Sequence, residues 1–201
     1  MPPNVGASAL PRRFALSRTT RNLVESIFQG DAQGATLLDV GGRVGRLQRE
    51  LYGRGVATVT HIAPSRGRLA TTKAEAERRG YAGDFVEGEF TELYHTLQSA
   101  DLVTLDRVTW SYPDIRELVS GAAARARKRI GLVVPRDAWW VRASIRLRNV
   151  GLRILRKTKK YAHRTADIHA RIRRNGFRRI RQTRTLFWQI DVYERAPWGG
   201  A

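Results

Sequence analysis

Short apolar runs and amphipathic stretches alternate along the chain, and most changes of pattern coincide with a glycine, a proline or a capping residue. Short runs rich in β-branched residues are typical of buried strands, and apolar residues three and four positions apart are typical of helices. Five runs predict strands: 36–40, 56–62, 84–86, 101–105 and 130–134. The helical spacing predicts helices over 17–29, 44–52, 65–79 and 165–174, and another that Asp114 caps.

Strands and helices that alternate in this way form a parallel sheet with helices on both faces. The last two predicted strands, 177–185 and 186–195, follow each other almost without a connection and therefore pair antiparallel. The pattern thus predicts a Rossmann-like, doubly wound α/β fold of seven strands, mostly parallel, with an antiparallel edge hairpin at the C-terminus. We expect a single domain over 17–195, a flexible arm over 1–16 and a frayed tail over 196–201.

A glycine-rich loop, D-V-G-G-R-V-G at 39–45, joins the first strand to the next predicted helix. Glycine permits both a sharp turn and a close approach of a ligand to the backbone. Asp39 lies at the carboxyl end of the strand, where open α/β sheets bind ligands, and the next helix directs its free N–H groups there. A tight turn without a ligand explains the same residues, so the loop alone leaves both interpretations open.

The segment L-L-D-V-G-G-R-V-G resembles motif I of class I S-adenosylmethionine (SAM)-dependent methyltransferases, whose pattern is acidic-x-Gly-x-Gly-x-Gly. L-D-R-V-T-W-S-Y-P-D at 105–114 is similar to the segment after the fourth strand in relatives of magnesium-protoporphyrin O-methyltransferases. Four further features resemble that subgroup: W-W-V-R at 139–142, His163, N-G-F at 175–177 and L-F-W-Q-I at 186–190. The resemblance implies SAM as the cofactor and a small molecule as the methyl acceptor.

The same resemblance implies roles for individual residues. It assigns the SAM site to Asp39, Gly41, Gly42, Arg43, Gly45, Ala63, Asp84, Phe85 and Arg107, with Asp84 and Phe85 at the adenine. It assigns the acceptor side to Trp110, Trp139 and Trp140, and the candidate bases are His163, Tyr112 and Asp106. Simpler explanations stay open for several of them: a surface turn for Asp84, packing for the tryptophans, a surface position for His163 and a turn cap for Asp106.

Two residues depart from the family pattern. Arg43 replaces the middle glycine of motif I, where a side chain would crowd the ligand. Ala63 stands where an acidic residue normally accepts both ribose hydroxyls, and each such hydrogen bond to a charged group contributes roughly 1.5–3 kcal/mol. Two functions stay open: a SAM-dependent methyltransferase for a small molecule, and a non-catalytic methyltransferase-like protein with weakened or lost SAM binding whose basic half binds an anionic partner.

The net charge of +19 lies almost entirely in the C-terminal part of the chain. Residues 1–120 hold 15 Lys/Arg against 14 Asp/Glu, whereas residues 121–201 hold 22 against 4, a balance of +18. Such a charge attracts anionic lipid, nucleic acid or an anionic substrate. The sequence contains no cysteine and its four histidines are scattered, so we expect no metal site.

The segment at about 137–157 predicts an amphipathic, arginine-faced helix. One arc holds Trp139, Trp140, Ala143, Leu147 and Val150, and the opposite arc holds most arginines with Val141, Ile145 and Leu152 among them. Three uses compete: a lid over the acceptor, attachment to an anionic membrane surface, and contact with nucleic-acid phosphates. The first two are favoured because no RNA-binding signature accompanies the helix. Without a signal-like N-terminus or a long apolar run, we expect a cytoplasmic protein, with peripheral membrane attachment left open.

Overall fold

The structure, a computed structural model, describes residues 17–28, 33–41, 50, 53–78, 80–81, 83–154 and 160–197. The described residues form a seven-stranded sheet in the order β3-β2-β1-β4-β5-β7-β6. The strands are β1 (Thr36–Val40), β2 (Thr58–Ala63), β3 (Gly83–Glu87), β4 (Ala100–Asp106), β5 (Ala126–Pro135), β6 (Phe177–Arg184) and β7 (Trp188–Arg195). Strands β1 to β5 are parallel, and β7 is antiparallel to both β5 and β6. The predicted mostly parallel, doubly wound sheet with an antiparallel C-terminal hairpin is confirmed.

Helices connect the strands and cover the sheet. They are α1 (Arg18–Ile27), α2 (Arg66–Arg78), α3 (Phe90–Leu93), α4 (Ile115–Arg125), α5 (Trp139–Ile154) and α6 (Thr165–Arg174). The Ser17 hydroxyl accepts from the backbone N–H of Thr20 and so caps α1. Asp114 caps α4 by accepting from the backbone N–H of Arg116 at 2.7 Å, as predicted. These side chains satisfy N–H groups that a helix start leaves unpaired.

The sheet has an apolar core on each face. On one face, α1 packs Leu23 and Ile27 against strand residues that include Leu37, Leu102 and Val133. Gly131 of β5 makes room for this helix, because a Cβ there would lie 2.7 Å from Leu23 Cδ1. The other face packs against α4 and α6 and has the larger core. That core includes Leu38, Val103, Leu105, Leu118, Ile130, Leu132, Ile168, Ile172 and Tyr193.

Several element boundaries differ from the sequence predictions. Helix α3 and the 3-10 turn at Thr109–Ser111 were not predicted, because four and three residues are too few to show a helical period. Strand β5 begins at Ala126 rather than residue 130, because α4 passes into it without a loop. Outside the described residues lie the predicted arm 1–16, most of the predicted helix 44–52 and the end of the tail.

Helix α5, Trp139–Ile154, lies within the segment at about 137–157 that predicted an amphipathic helix, and its packing separates the two predicted arcs. Within the arginine-bearing arc, Val141 and Ile145 pack against the protein and are 0% and 3% exposed, whereas Arg142 and Arg146 are exposed. The arc with Trp139 and Leu147 faces solvent. The inner side can carry arginines because the short aliphatic side chains reach the core while the long arginine side chains beside them extend to water.

Candidate active site

The parallel strands end side by side at one edge of the sheet. Strand β3 ends at Glu87, β2 at Ala63, β1 at Val40 and β4 at Asp106. Strand β1 lies between β2 and β4. The chain continues from β1 to β2 and β3 on one side and then crosses to β4 on the other side, so the strand order reverses at β1. Open α/β sheets bind ligands at such a switch point, beyond the carboxyl ends of the strands. This edge is therefore the candidate site.

Gly41 makes the turn at the end of β1. Its φ of +64° lies in the left-handed region, and its N–H donates to the carbonyl of Ile62 at 2.7 Å. A Cβ at this position would lie 2.7 Å from Val108 Cγ2. Both the turn and the packing on Val108 therefore require glycine, whether or not a ligand is bound. The neighbouring candidates Gly42, Arg43 and Gly45 lie outside the described residues, so their roles stay predictions.

Asp39 lies inside the sheet and links three strands. It is 1% exposed, and the register pairs its Cα with His61 of β2 and with Thr104 of β4. The Thr104 hydroxyl donates to Asp39 Oδ1 at 2.8 Å, and His61 Nδ1 lies 3.0 Å from Asp39 Oδ2. Because a carboxylate only accepts, we assign the proton of this hydrogen bond to His61 Nδ1.

The second ring nitrogen of His61 has no hydrogen-bond partner although it is buried. Thr109 Oγ1, in the turn that follows β4, is the other unpartnered buried atom among the described residues near this edge. Buried polar atoms without a partner are uncommon and carry a free-energy cost, so each marks a place where a water or a ligand group fits. Sequence reasoning missed His61, although its place two residues before Ala63 puts it on the same face of β2.

Two carboxylates at this edge, Glu87 and Glu89, lie at the end of β3 and just after it. Ala63 is 2% exposed and pairs with Glu87, the last residue of β3. Glu87 is exposed, and its Oε2 accepts from Arg66 Nε at 3.1 Å. Glu89, two residues later, accepts from the Tyr112 hydroxyl at 2.9 Å. Neither glutamate was predicted from the sequence, although the E-G-E triplet directly after a strand is a signal that could have identified them.

Asp84 and Phe85, predicted beside the adenine, lie within β3. Asp84 pairs with Thr60 and lies three residues before the end of β3, which corresponds to roughly 10 Å along a strand. Its side chain is exposed and the structure does not bring it to the carboxyl edge. Phe85 packs edge-on against His61, with ring centroids 6.5 Å apart. The predicted role of Asp84 and Phe85 at the adenine stays a prediction, whereas Glu87 and Glu89 are the carboxylates that lie at the end of β3 and just after it.

The end of β4 is tied to the start of α1. Asp106, which is 4% exposed, accepts from the Thr20 hydroxyl at 2.9 Å and from Arg107 Nε at 3.0 Å. Arg107 has a φ of 57°, unusual for a residue with a side chain, and its Nη2 also donates to Ser17 at 3.1 Å. Strained backbone of this kind is frequent at functional sites. These contacts occupy both oxygens of Asp106, so it is positioned as an acceptor within a network.

Tyr112 and His163 lie together beyond β4. His163 Nε2 donates to the backbone carbonyl of Tyr112 at 2.8 Å, and its ring stacks on Tyr161 with centroids 6.2 Å apart. Because a carbonyl only accepts, the neutral imidazole carries its proton on Nε2 and its lone pair on Nδ1. Burial, together with the hydrogen bond to Glu89, raises the pKa of Tyr112 well above its ordinary value. Tyr112 is therefore held in its protonated form.

An aromatic cluster lies beside these residues; its members are Trp110, Trp140, Phe187 and Trp188. Trp110 meets Trp188 edge-on at a centroid distance of 4.9 Å, and Trp140 meets Phe187 at 6.3 Å. Arg148 of α5 and Lys160 lie over the Trp110 ring at 5.2 Å and 5.4 Å. The structure thus brings two of the predicted acceptor-side tryptophans together. The third, Trp139, is 81% exposed and does not join the cluster.

Comparison with known proteins agrees with this architecture. Residues 38–134 match the family model described as a methyltransferase domain. The fold is that of the class I methyltransferases. The resemblance inferred from motif I and from residues 105–114 is thereby confirmed at the level of the fold. Comparison with curated proteins found no significant match.

Solved structures with the methyltransferase fold cover most of this chain. Magnesium protoporphyrin IX methyltransferase from Synechocystis PCC 6803, with bound SAH, is 22% identical at a TM-score of 0.72 and aligns 89% of this chain with 83% of its own. The same enzyme with bound SAM is 21% identical at a TM-score of 0.69, over 89% and 79% of the two chains. The N-methyltransferase NodS from Bradyrhizobium japonicum WM9 is 9% identical at 0.65, over 89% and 94%.

Two features are absent from the described residues. They contain no group of three or more His, Cys, Asp or Glu side chains arranged to hold a metal ion. No helix in the described part of this methyltransferase fold is long and apolar enough to cross a bilayer.

Proposed function

We propose that the protein is a SAM-dependent methyltransferase that acts on a small molecule. The observation that carries the proposal is the left-handed turn at Gly41 at the switch point of the sheet. Its N–H donates to the carbonyl of Ile62, the residue after His61, whose buried Nε2 has no partner. That edge combines a tight backbone turn with polar atoms that lack partners, which is what a nucleoside ligand requires. The match of residues 38–134 to the methyltransferase family model supports the same conclusion.

The described residues at the edge fit SAM with one change from the family pattern; the other departure, Arg43, lies outside the described residues. Ala63 offers no acceptor for the ribose hydroxyls, but its partner in the neighbouring strand, Glu87, presents a carboxylate at the same level of the sheet. Glu89 and His61 Nε2 offer further polar atoms. The turn at Gly41 and the loop after it would hold the methionine part. When bound, SAM supplies the methyl group.

The chain itself contributes positioning and a place for a proton. Methyl transfer depends largely on alignment of donor and acceptor, so few catalytic groups are needed. Of the three candidate bases, Tyr112 stays protonated and Asp106 is engaged by Thr20 and Arg107. His163 is the remaining candidate, with its lone pair on Nδ1 and its orientation set by the Tyr112 carbonyl. The aromatic cluster, whose rings meet edge-on, would supply apolar contacts to the acceptor.

Calorimetric titration with SAM and SAH tests the proposal. We expect binding with a Kd of about 1 μM, and loss of at least about tenfold in Glu87→Gln because a charged acceptor is removed. Asp84→Asn, an equal change in the same strand but away from the edge, is the matched control and should bind as the wild type does. No binding at about 1 mM SAM by a folded sample would contradict the proposal.

The alternative is a non-catalytic protein on the same scaffold. Ala63 favours this alternative, because a buried methyl group lies at the end of β2 where a hydrogen-bond acceptor for the ribose hydroxyls is expected. The double variant Arg43→Gly/Ala63→Asp separates the two functions. If the site is degenerate, the wild type fails to bind SAM and the variant gains binding. If the site is functional, the wild type binds and turns over radiolabelled SAM with a suitable acceptor.

A further inference from the structure

Four large apolar side chains are exposed among the residues that the structure describes: Trp139 (81%), Leu147 (75%), Val150 (58%) and Leu186 (79%). Three of them belong to α5. The fourth lies in the turn between β6 and β7. Single exposed apolar residues are ordinary on a protein surface, but a cluster on one face marks an interaction site.

The three side chains on α5 form one continuous face. With Ala143 they occupy positions 139, 143, 147 and 150, spaced by four, four and three residues, so they lie on the same side of the helix. We call this set the outer face of α5. Val141 and Ile145, which are buried, lie on the opposite side. The helix is therefore apolar on two sides, and only the inner side is covered by the described protein.

The turn that carries Leu186 is held beside the start of α5. The Arg136 N–H donates to the Phe187 carbonyl at 2.9 Å, and its guanidinium donates to the carbonyls of Thr185 and Leu186, each at 3.3 Å. Trp140 of α5 also contacts Phe187. The fourth exposed side chain thus belongs to the region next to the outer face rather than to a distant surface.

The charge around the outer face is positive. Helix α5 contains four arginines, at 142, 146, 148 and 153, and no acidic residue over 139–154. Arg142 pairs with Asp137, and Arg146 lies on the exposed side of the helix next to Trp139 and Val150. Since the whole C-terminal part carries +18, these local charges belong to a larger positive field.

We propose that the outer face of α5 docks on an anionic lipid surface. The apolar side chains would enter the boundary between headgroups and acyl chains, and the arginines would contact lipid phosphates. A second copy of the chain fits poorly, because it would bring two strongly positive faces together. Nucleic acid fits poorly as well, because its phosphates do not contact aliphatic side chains and only Trp139 could stack on a base. The inference does not depend on the catalytic proposal.

Vesicle co-sedimentation of the full chain tests this inference. The vesicles contain phosphatidylcholine alone or with phosphatidylglycerol, at physiological salt. We expect binding only to the anionic vesicles. Leu147→Ser/Val150→Ser should reduce binding by about tenfold or more, because each buried apolar side chain contributes that order of affinity. Arg142→Gln/Arg146→Gln should reduce it by about 25-fold, at about fivefold for each of the two cations.

A matched control distinguishes local from general charge. Lys73→Gln/Arg78→Gln removes the same charge from exposed positions of α2 and should leave binding within about twofold. Circular dichroism verifies that each variant is folded. Equal losses in the control and the α5 variants overturn the proposal, as does undiminished binding by the Leu147/Val150 variant. If sedimentation shows a dimer that the same serine substitutions dissociate, and the wild type does not bind vesicles, the proposal is overturned in favour of self-association.

Discussion

The two parts of the sheet use polar side chains in different ways. At β1, β2 and β4 the polar groups pair with one another, as Asp39 does with His61 and Thr104. Around β5, β6 and β7 cations greatly outnumber acids, so besides ion pairs such as Arg129 with Glu194, arginines also bind carbonyl oxygens and ring faces. Arg195 donates to the carbonyls of Ala123 and Ala126 and lies over the Phe177 ring at 4.4 Å.

This difference teaches that the positive charge has two roles. The guanidinium is flat and has several donors, so it can hold carbonyls and stack on rings without a carboxylate partner. Arginines such as Arg195 and Arg136 therefore stabilise the fold of the basic half. We propose the second role, contact with lipid phosphates, for those beside the outer face of α5, such as Arg146, because they lie next to apolar side chains that the described protein leaves exposed.

The largest effect should come from breaking the polar link in the first part of the sheet. Asp39→Ala leaves His61 Nδ1 and Thr104 Oγ1 buried without their acceptor, so we expect the free energy of unfolding to fall by about 3–4 kcal/mol. Urea unfolding followed by circular dichroism measures it. Asp84→Ala, at an exposed position of β3, should change it by less than about 0.5 kcal/mol. A similar small change for Asp39→Ala would show that the link is not stabilising.

The next largest loss of stability should come from Gly41→Ala. The left-handed φ costs a residue with a Cβ about 1 kcal/mol, and displacement of Val108 adds about 1–2 kcal/mol. Gly34→Ala is the control, because Gly34 has a similar φ of +72° and a Cβ added there would have no atom within 4 Å. Urea unfolding of both variants isolates the contribution of the contact with Val108. Equal losses would mean that the contact adds nothing.

In the basic half, Glu194→Gln should lower stability by about 1 kcal/mol at neutral pH. Arg129 binds Glu194 at 2.9 Å, and this hydrogen bond holds the pKa of the carboxyl below its ordinary value. A depressed folded-state pKa stabilises the protein above the unfolded-state pKa, and the contribution is lost as pH falls through the folded-state value. The difference in the free energy of unfolding between the variant and the wild type should therefore become smaller below about pH 4.5. Unfolding curves at several pH values test this, and a difference independent of pH would contradict it.

The smallest effect should come from a cation over a ring. Arg148→Met keeps the aliphatic stem but removes the charge above Trp110, which should cost about 0.5 kcal/mol because the site is exposed. A double-mutant cycle with Trp110→Leu isolates the interaction from other effects of each change. Strict additivity of the two substitutions would indicate that the contact contributes nothing to stability.

Much of the fold was determined by local sequence patterns. The strand at 36–40 and the helix at 165–174 have the predicted bounds, because apolar period, caps and glycine stops agree there. The antiparallel pairing of β6 and β7 also followed from the sequence, since adjacent strands with a short connection have no other way to pair. The glycine loop begins, at Gly41, at the edge of the sheet that forms the candidate site.

Tertiary structure alone decided which polar groups meet. His61 became part of the site through the register that pairs it with Asp39, and Glu87 through its pairing with Ala63; register depends on contacts between distant segments. For a similar reason, the sequence did not determine which side of α5 packs against the protein. Both sides of that helix carry apolar residues, so its period specified a helix, whereas the shape of the neighbouring core selected Val141 and Ile145 and left Trp139 and Leu147 exposed.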